Sequence, residues 1–104
     1  MSEGRGGSPE RVGTLVEGLL RSQGLAEGVE RALVFPEWAE LVGPQIAQVA
    51  TPVGFDRATL FVEVRSSAWL MELEMMERRI LAQLNARRRR GKYERIVFRL
   101  APGS

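Results

Sequence analysis

Ser66-Ser67-Ala68-Trp69-Leu70-Met71-Glu72-Leu73-Glu74-Met75-Met76-Glu77-Arg78-Arg79-Ile80-Leu81-Ala82-Gln83-Leu84-Asn85-Ala86-Arg87-Arg88-Arg89-Arg90 organises this chain. Trp69, Leu73, Met76, Ile80 and Leu84 recur in steps of four, three, four and four, which draws one apolar stripe down a helix. Leu70 and Leu81 widen that stripe. Ser66 or Ser67 supplies an N-cap, because a serine hydroxyl accepts from the unpaired amides of a first turn. Glu72, Glu74 and Glu77 fall in the first half and the arginines in the second, which suits the helix dipole. Glu74 and Arg78 form a well-oriented i,i+4 pair, worth roughly 0.2–0.5 kcal/mol. The spacing predicts one long helix over 66–90.

Strands flank it. On the C-terminal side, residues 93–100 alternate, with Ile96, Phe98 and Leu100 on one face and Glu94, Arg95, Val97 and Arg99 on the other. On the N-terminal side, residues 59–65 put Leu60, Val62 and Val64 against Thr59, Phe61, Glu63 and Arg65. Residues 51–55 form a shorter strand, expected at a sheet edge because Pro52 cannot donate to a ladder. Asp56-Arg57 is the expected turn.

Further upstream, residues 1–8 read as a disordered tail, and Ser8-Pro9-Glu10 opens a helix with a serine cap and a proline in the first turn. Val12, Leu15, Val16, Leu19 and Leu20 form its apolar face, and Gly24 closes it. A second helical region runs over 26–42, kinked or restarted at Pro36 and ended by Gly43-Pro44, with a short helical turn at 45–49. The order α-α-β-β-α-β predicts an α+β fold, a three-stranded sheet packed against helices in one domain over 9–100, with 101–104 as a tail.

Composition narrows the function. The chain has 104 residues, 44% of them hydrophobic and 27% charged, as in an ordinary soluble globule. It contains neither cysteine nor histidine, so nucleophile systems that need either residue, and the usual zinc ligands, are excluded. No catalytic residue, metal site or cofactor is expected. No apolar run approaches a membrane span, and the N-terminus has no apolar core of a secretory signal, which predicts a cytoplasmic protein. The net charge of +2 hides an asymmetry: residues 1–77 carry −6 and residues 78–104 carry +8. A basic end on an acidic body points to a polyanionic partner.

Trp38 with Val42-Gly43 and Ile46-Ala47, then Thr51-Pro52-Val53, Leu60-x-Val62-x-Val64, Ser66-Ser67-Ala68-Trp69 with Glu72-Leu73, Leu81-x-x-Leu84-Asn85 and Ile96-x-Phe98-Arg99 together resemble the DciA family. The resemblance covers residues 10–100. It implies a KH-like fold and a bacterial, nucleoid-associated protein that binds DNA and loads or operates the replicative helicase DnaB. Two departures stand out. The family's glycine before the second strand is missing from Asp56-Arg57-Ala58-Thr59, and no GXXG tetrad lies between helices, so a KH-style RNA clamp is not expected. Many family members carry a long extension implicated in helicase contact; here the globule or its short tails would have to serve.

On this reading, single-stranded or forked DNA is expected at Arg65, Arg87, Arg88, Arg89, Arg90, Lys92, Arg95 and Arg99, through phosphates rather than base edges. The plainer reading of Arg87 to Arg90 is a solvated helix end. Trp69, Met71 and Met75 are candidates for partner binding or stacking, against core packing as the alternative. Trp38 is expected in the core, and Glu27, Glu30, Glu37 and Glu40 on a solvated face. Two other functions fit the composition: an RNA-binding KH-like module in RNA or ribosome metabolism, and a protein-only homo-oligomeric interaction module. Oligomeric state is left open.

Overall fold

Proline chemistry sets the first break in the chain. The computed structural model describes residues 23–103, where α1 (Gln23–Ala32) and α2 (Val34–Val42) meet at Leu33. Had one helix continued, the Pro36 ring would have met the carbonyl of Ala32 four residues back, with no amide to offer it. The helix restarts instead, with Pro36 in its first turn and the Glu37 amide donating to the Leu33 carbonyl at 3.1 Å. Gly43, at φ 93°, ends α2 by donating to Ala39, and Pro44 opens the short α3 (Pro44–Ala47). Gly24 lies within α1 rather than closing a helix. The rest of the helix expected from Ser8 to Gly24, with its apolar face from Val12 to Leu20, lies outside the described residues.

The sheet follows. β1 (Ala50–Asp56) pairs antiparallel with β2 (Thr59–Val64), which pairs in parallel with β3 (Arg95–Leu100) in the order β1-β2-β3. Pro52 therefore sits on an edge strand, as its missing amide requires. Asp56 still pairs with Thr59, so the turn is Arg57-Ala58, one residue later than expected, with Arg57 at φ 54°. A bulge at Val53 shifts the register between Pro52 and Gly54. It returns Phe55 to the side of Leu60, where its ring meets Phe35 and Tyr93, each at 6.2 Å between centroids.

The long stripe forms two helices, not one: α4 (Ser67–Met75) and α5 (Glu77–Asn85), separated at Met76. Ser66 caps α4, its Oγ accepting from the Trp69 amide at 3.2 Å. Met76 closes a tighter turn onto Leu73. The break lets α4 lie on β2 and β3 while α5 turns toward α2. It is tied down by Glu77, whose Oε2 accepts from the Ile96 amide of β3 at 2.9 Å. Glu74 and Arg78 fall on opposite sides of this break, so the expected pair within one helix does not arise. The stripe itself holds: Leu73, Ile80 and Leu84 are buried, and Trp69 and Met76 pack partly on the core.

The core lies between helices and sheet. Leu60, Val62 and Val64 are fully buried beneath Val34, Leu73 and Ile80, each such side chain contributing roughly 1.5–3 kcal/mol. Trp38 is buried as expected, and its Nε1 donates to the Ala50 carbonyl at 2.9 Å, linking α2 to β1. The α+β class and the element order agree with the sequence reading. The extra helices come from the breaks at Leu33 and Met76.

Candidate nucleic-acid interface

The four arginines do not form a helical turn. α5 ends at Asn85, and residues 86–94 make an irregular connector to β3. Within it, Arg87, Arg89, Arg90 and Lys92 are exposed, whereas Arg88 is buried. Its Nε donates to the Leu84 carbonyl at 2.9 Å, a second nitrogen donates to the Glu30 carbonyl, and the guanidinium pairs with Glu37 at 3.5 Å. Arg88 thus joins α5, α1 and α2. The structure takes it out of the exposed set: two of its nitrogens donate to carbonyls, and the third is buried with only the Glu37 ion pair. Glu30 and Glu37 are correspondingly more than a solvated face; Glu40 is exposed.

The rest of the connector is held as tightly. Asn85 accepts from the Tyr93 amide at 2.8 Å and donates to its carbonyl at 2.9 Å, which closes the loop into a fixed arch. The Tyr93 hydroxyl donates to the Arg31 carbonyl at 2.8 Å, and Arg31 donates to the Lys92 carbonyl at 3.3 Å. Glu30 and Arg31 lie in the last turn of α1, where carbonyls have no partner within the helix, so the connector caps that end. Burial pushes the Tyr93 hydroxyl up from 10.0 to about 12, against the opposing pull of Arg88 and Arg31. The exposed cations are therefore displayed from a segment tied to its neighbours at Arg88, Lys92 and Tyr93.

Arg57 joins them, although the sequence reading left it out. The Ala58 carbonyl accepts from the amides of Glu94 and Arg95, at 2.8 and 3.3 Å, so the β1–β2 turn abuts the end of the connector. Parallel pairing sets Arg95 opposite Thr59 at the same end. Arg57 lies more than thirty positions before Arg95, a proximity that only strand pairing creates.

Arg65 and Arg99 lie at the other end of the sheet. Strands β2 and β3 are indeed neighbours, so Arg95 and Arg99 share the outward face, about 13 Å apart along the strand. Arg65 is exposed, donating to the Gln48 carbonyl at 3.1 Å. Arg99 pairs with Glu63 at 3.6 Å and sits 5.8 Å from the centre of the Phe61 ring. The expected basic residues thus form two groups rather than one.

Trp69 is half-buried. One side of the ring packs on the core, and the other lines a cleft of about 490 Å³ shared with Val42, Pro44, Ile46, Arg79 and Gln83. Met71 and Met75 are 66% and 81% exposed, so they do not fill the core. Among the described residues there is no cluster of three or more His, Cys, Asp or Glu placed to hold a metal ion. No helix among them is long and apolar enough to cross a membrane.

Comparison with known proteins places this arrangement. The family model "Dna[CI] antecedent, DciA" matches residues 11–98. The chain belongs to the DciA family. It is 36% identical to a UPF0232 protein of Mycobacterium leprae over 78 residues, which is 75% of this chain and 41% of that protein. UPF0232 proteins of Mycobacterium ulcerans and Mycolicibacterium smegmatis are each 33% identical over the same length, 42% and 40% of those proteins respectively. The chain thus spans about two fifths of the length of these curated relatives.

Proposed function

We propose that this DciA-family chain is a non-enzymatic DNA-binding domain that works with the bacterial replicative helicase DnaB, promoting its loading or activity when replication begins. Family membership supports the helicase context. The observation that carries the DNA contact is the exposed basic arch of Arg87, Arg89, Arg90 and Lys92, with Arg57 and Arg95 at its foot. Such cations neutralise phosphates and release counterions, which gives affinity without base readout. Arg88 acts here as a positioning residue that fixes the arch. The exposed Met71 and Met75 on α4, with the open side of Trp69, form the surface offered to the helicase, since unbranched thioethers adapt to a partner's relief.

Binding of fluorescent single-stranded, forked and duplex DNA across a salt series, with and without purified replicative helicase, tests this reading. A clear salt slope, and tighter binding when helicase is added, are the expected results. Flat or absent binding in both series would overturn the DNA assignment and leave a protein-only interaction module.

A further inference from the structure

We propose that the outward face of the sheet is a stacking platform for single-stranded DNA, centred on Phe61; this rests on the DNA-binding reading above. Among the described residues, helices pack on the face that carries Leu60, Val62 and Val64, and Phe61, Val97 and their neighbours lie on the opposite face. Phe61 sits on the central strand, paired with Gly54 on one side and Val97 on the other. Phe61 is only partly buried there, so a large aromatic ring on the outer side of a central strand keeps part of its surface open to solvent.

Glycine across from the ring is the second observation. A Cβ built on Gly54 would meet nothing within 4 Å, so the flank of Phe61 toward β1 is open. Any larger side chain at position 54 would point to the same face and cover that flank, because directly opposed residues on one face of an antiparallel pair lie about 5 Å apart. On the β3 side, the Arg99 guanidinium lies over the ring, 5.8 Å from its centre. A planar group can stack on Phe61 from the open Gly54 side, with the cation already over the ring.

Charge selects the occupant. The face and its ends carry Arg57, Arg65, Arg95 and Arg99 against three acids, Asp56, Glu63 and Glu94. Glu63 is already engaged by Arg99 at 3.6 Å, in a pair partly open to water that is readily exchanged for a phosphate. An aromatic ring flanked by arginines on an open sheet suits an unpaired base joined to phosphates. A duplex has no free base face to offer the ring, so the platform discriminates for single strands. The connector arch holds phosphates at the end of the sheet where Arg95 begins β3, and the strand would run from there across Phe61 toward Arg99.

The test uses the full chain with oligo-dT, a duplex of equal length and oligo-rU, each fluorescently labelled. Phe61→Ala is expected to weaken oligo-dT binding by roughly tenfold, within the range a single stacked base carries, and to leave duplex binding unchanged. Phe61→Trp should retain binding. Gly54→Leu, whose side chain enters open space, should keep the wild-type melting curve and lose affinity several-fold. Ultraviolet cross-linking of the wild type to oligo-dT, mapped by mass spectrometry, should mark Phe61. Unchanged oligo-dT affinity in both Phe61→Ala and Gly54→Leu, or equal loss on the duplex, would overturn the platform. If the Arg87, Arg89 and Arg90 to Gln variant still loses binding in that case, the broader DNA reading survives. Tighter binding of oligo-rU that depends on Phe61 would overturn DNA as the occupant, and no binding of any probe by the wild type would overturn both readings.

Discussion

Gly91 and Glu30 are packed backbone against side chain: a Cβ on Gly91 would stand 2.7 Å from the Cβ of Glu30 and 2.8 Å from the Glu27 carbonyl oxygen. Gly91 also holds φ +69°, a conformation that L side chains rarely adopt. Two demands thus meet at one residue. The connector must turn, and it must turn while touching α1. The Arg88 and Tyr93 contacts to the Glu30 and Arg31 carbonyls stand on either side of it.

Gly91→Ala is therefore expected to cost about 2–5 kcal/mol, from roughly 1–2 for the left-handed backbone and about 1–3 for overpacking. Chemical denaturation measures it. A loss below about 0.5 kcal/mol would mean that α1 is not packed on the connector as described.

Arg88 and its neighbours should separate cleanly. Arg88→Ala removes hydrogen bonds made by a buried charge and is expected to destabilise by about 1.5–3 kcal/mol. Replacing Arg87, Arg89 and Arg90 together with Gln should leave the melting temperature nearly unchanged, because all three are exposed. The slope of log affinity against log salt should fall by roughly 2 to 3 in that variant, one step per lost phosphate contact. Equal effects of the two changes on melting would contradict the assignment.

Tyr93 is the only tyrosine in the chain, so the phenolate absorbance band reports it alone. Its titration is expected near 12 rather than 10.0 in the folded protein. The neutral hydroxyl is favoured on folding, so its contribution to stability is complete below pH 10, falls as the unfolded chain ionises, and is lost by pH 12. The loss is on the order of 2 kcal/mol. A midpoint near 10 in the native protein would show that the hydroxyl is not buried as described.

Arg57→Gly should act in opposite directions on fold and binding. Arg57 holds φ 54°, and glycine relieves a penalty of about 1–2 kcal/mol at the expense of greater freedom in the unfolded chain. The expected net gain is roughly 0.5–1 kcal/mol in denaturant, with a shallower salt dependence of DNA binding. A destabilised variant would mean that the side chain, not the backbone, matters at this turn.

Local chemistry made much of this protein legible from its sequence. The apolar stripe from Trp69 to Leu84, the Ser66 cap, the alternation around Val62 and the edge position of Pro52 are short-range features, and each survives in the structure. The same reasoning extended one helix through Met76 to Arg90, because periodicity records which residues turn inward but not against what. Only packing divides it. α4 meets the sheet, α5 meets α2, and Glu77 spends its carboxylate on a β3 amide. Charge counting likewise found the basic segment and could not tell Arg88 from Arg87, since the difference lies in the Glu30 carbonyl and the Glu37 carboxylate, each more than fifty residues earlier in the chain. Arg57 and the Gly54–Phe61 pairing belong to the same class of fact, fixed by strand register rather than by any local pattern. The sequence determined most of the apolar face along each element, though Leu100 at the end of β3 is exposed. Tertiary structure decided which elements these faces meet, because that choice depends on contacts between distant segments that compete for the same carbonyls and the same apolar surface.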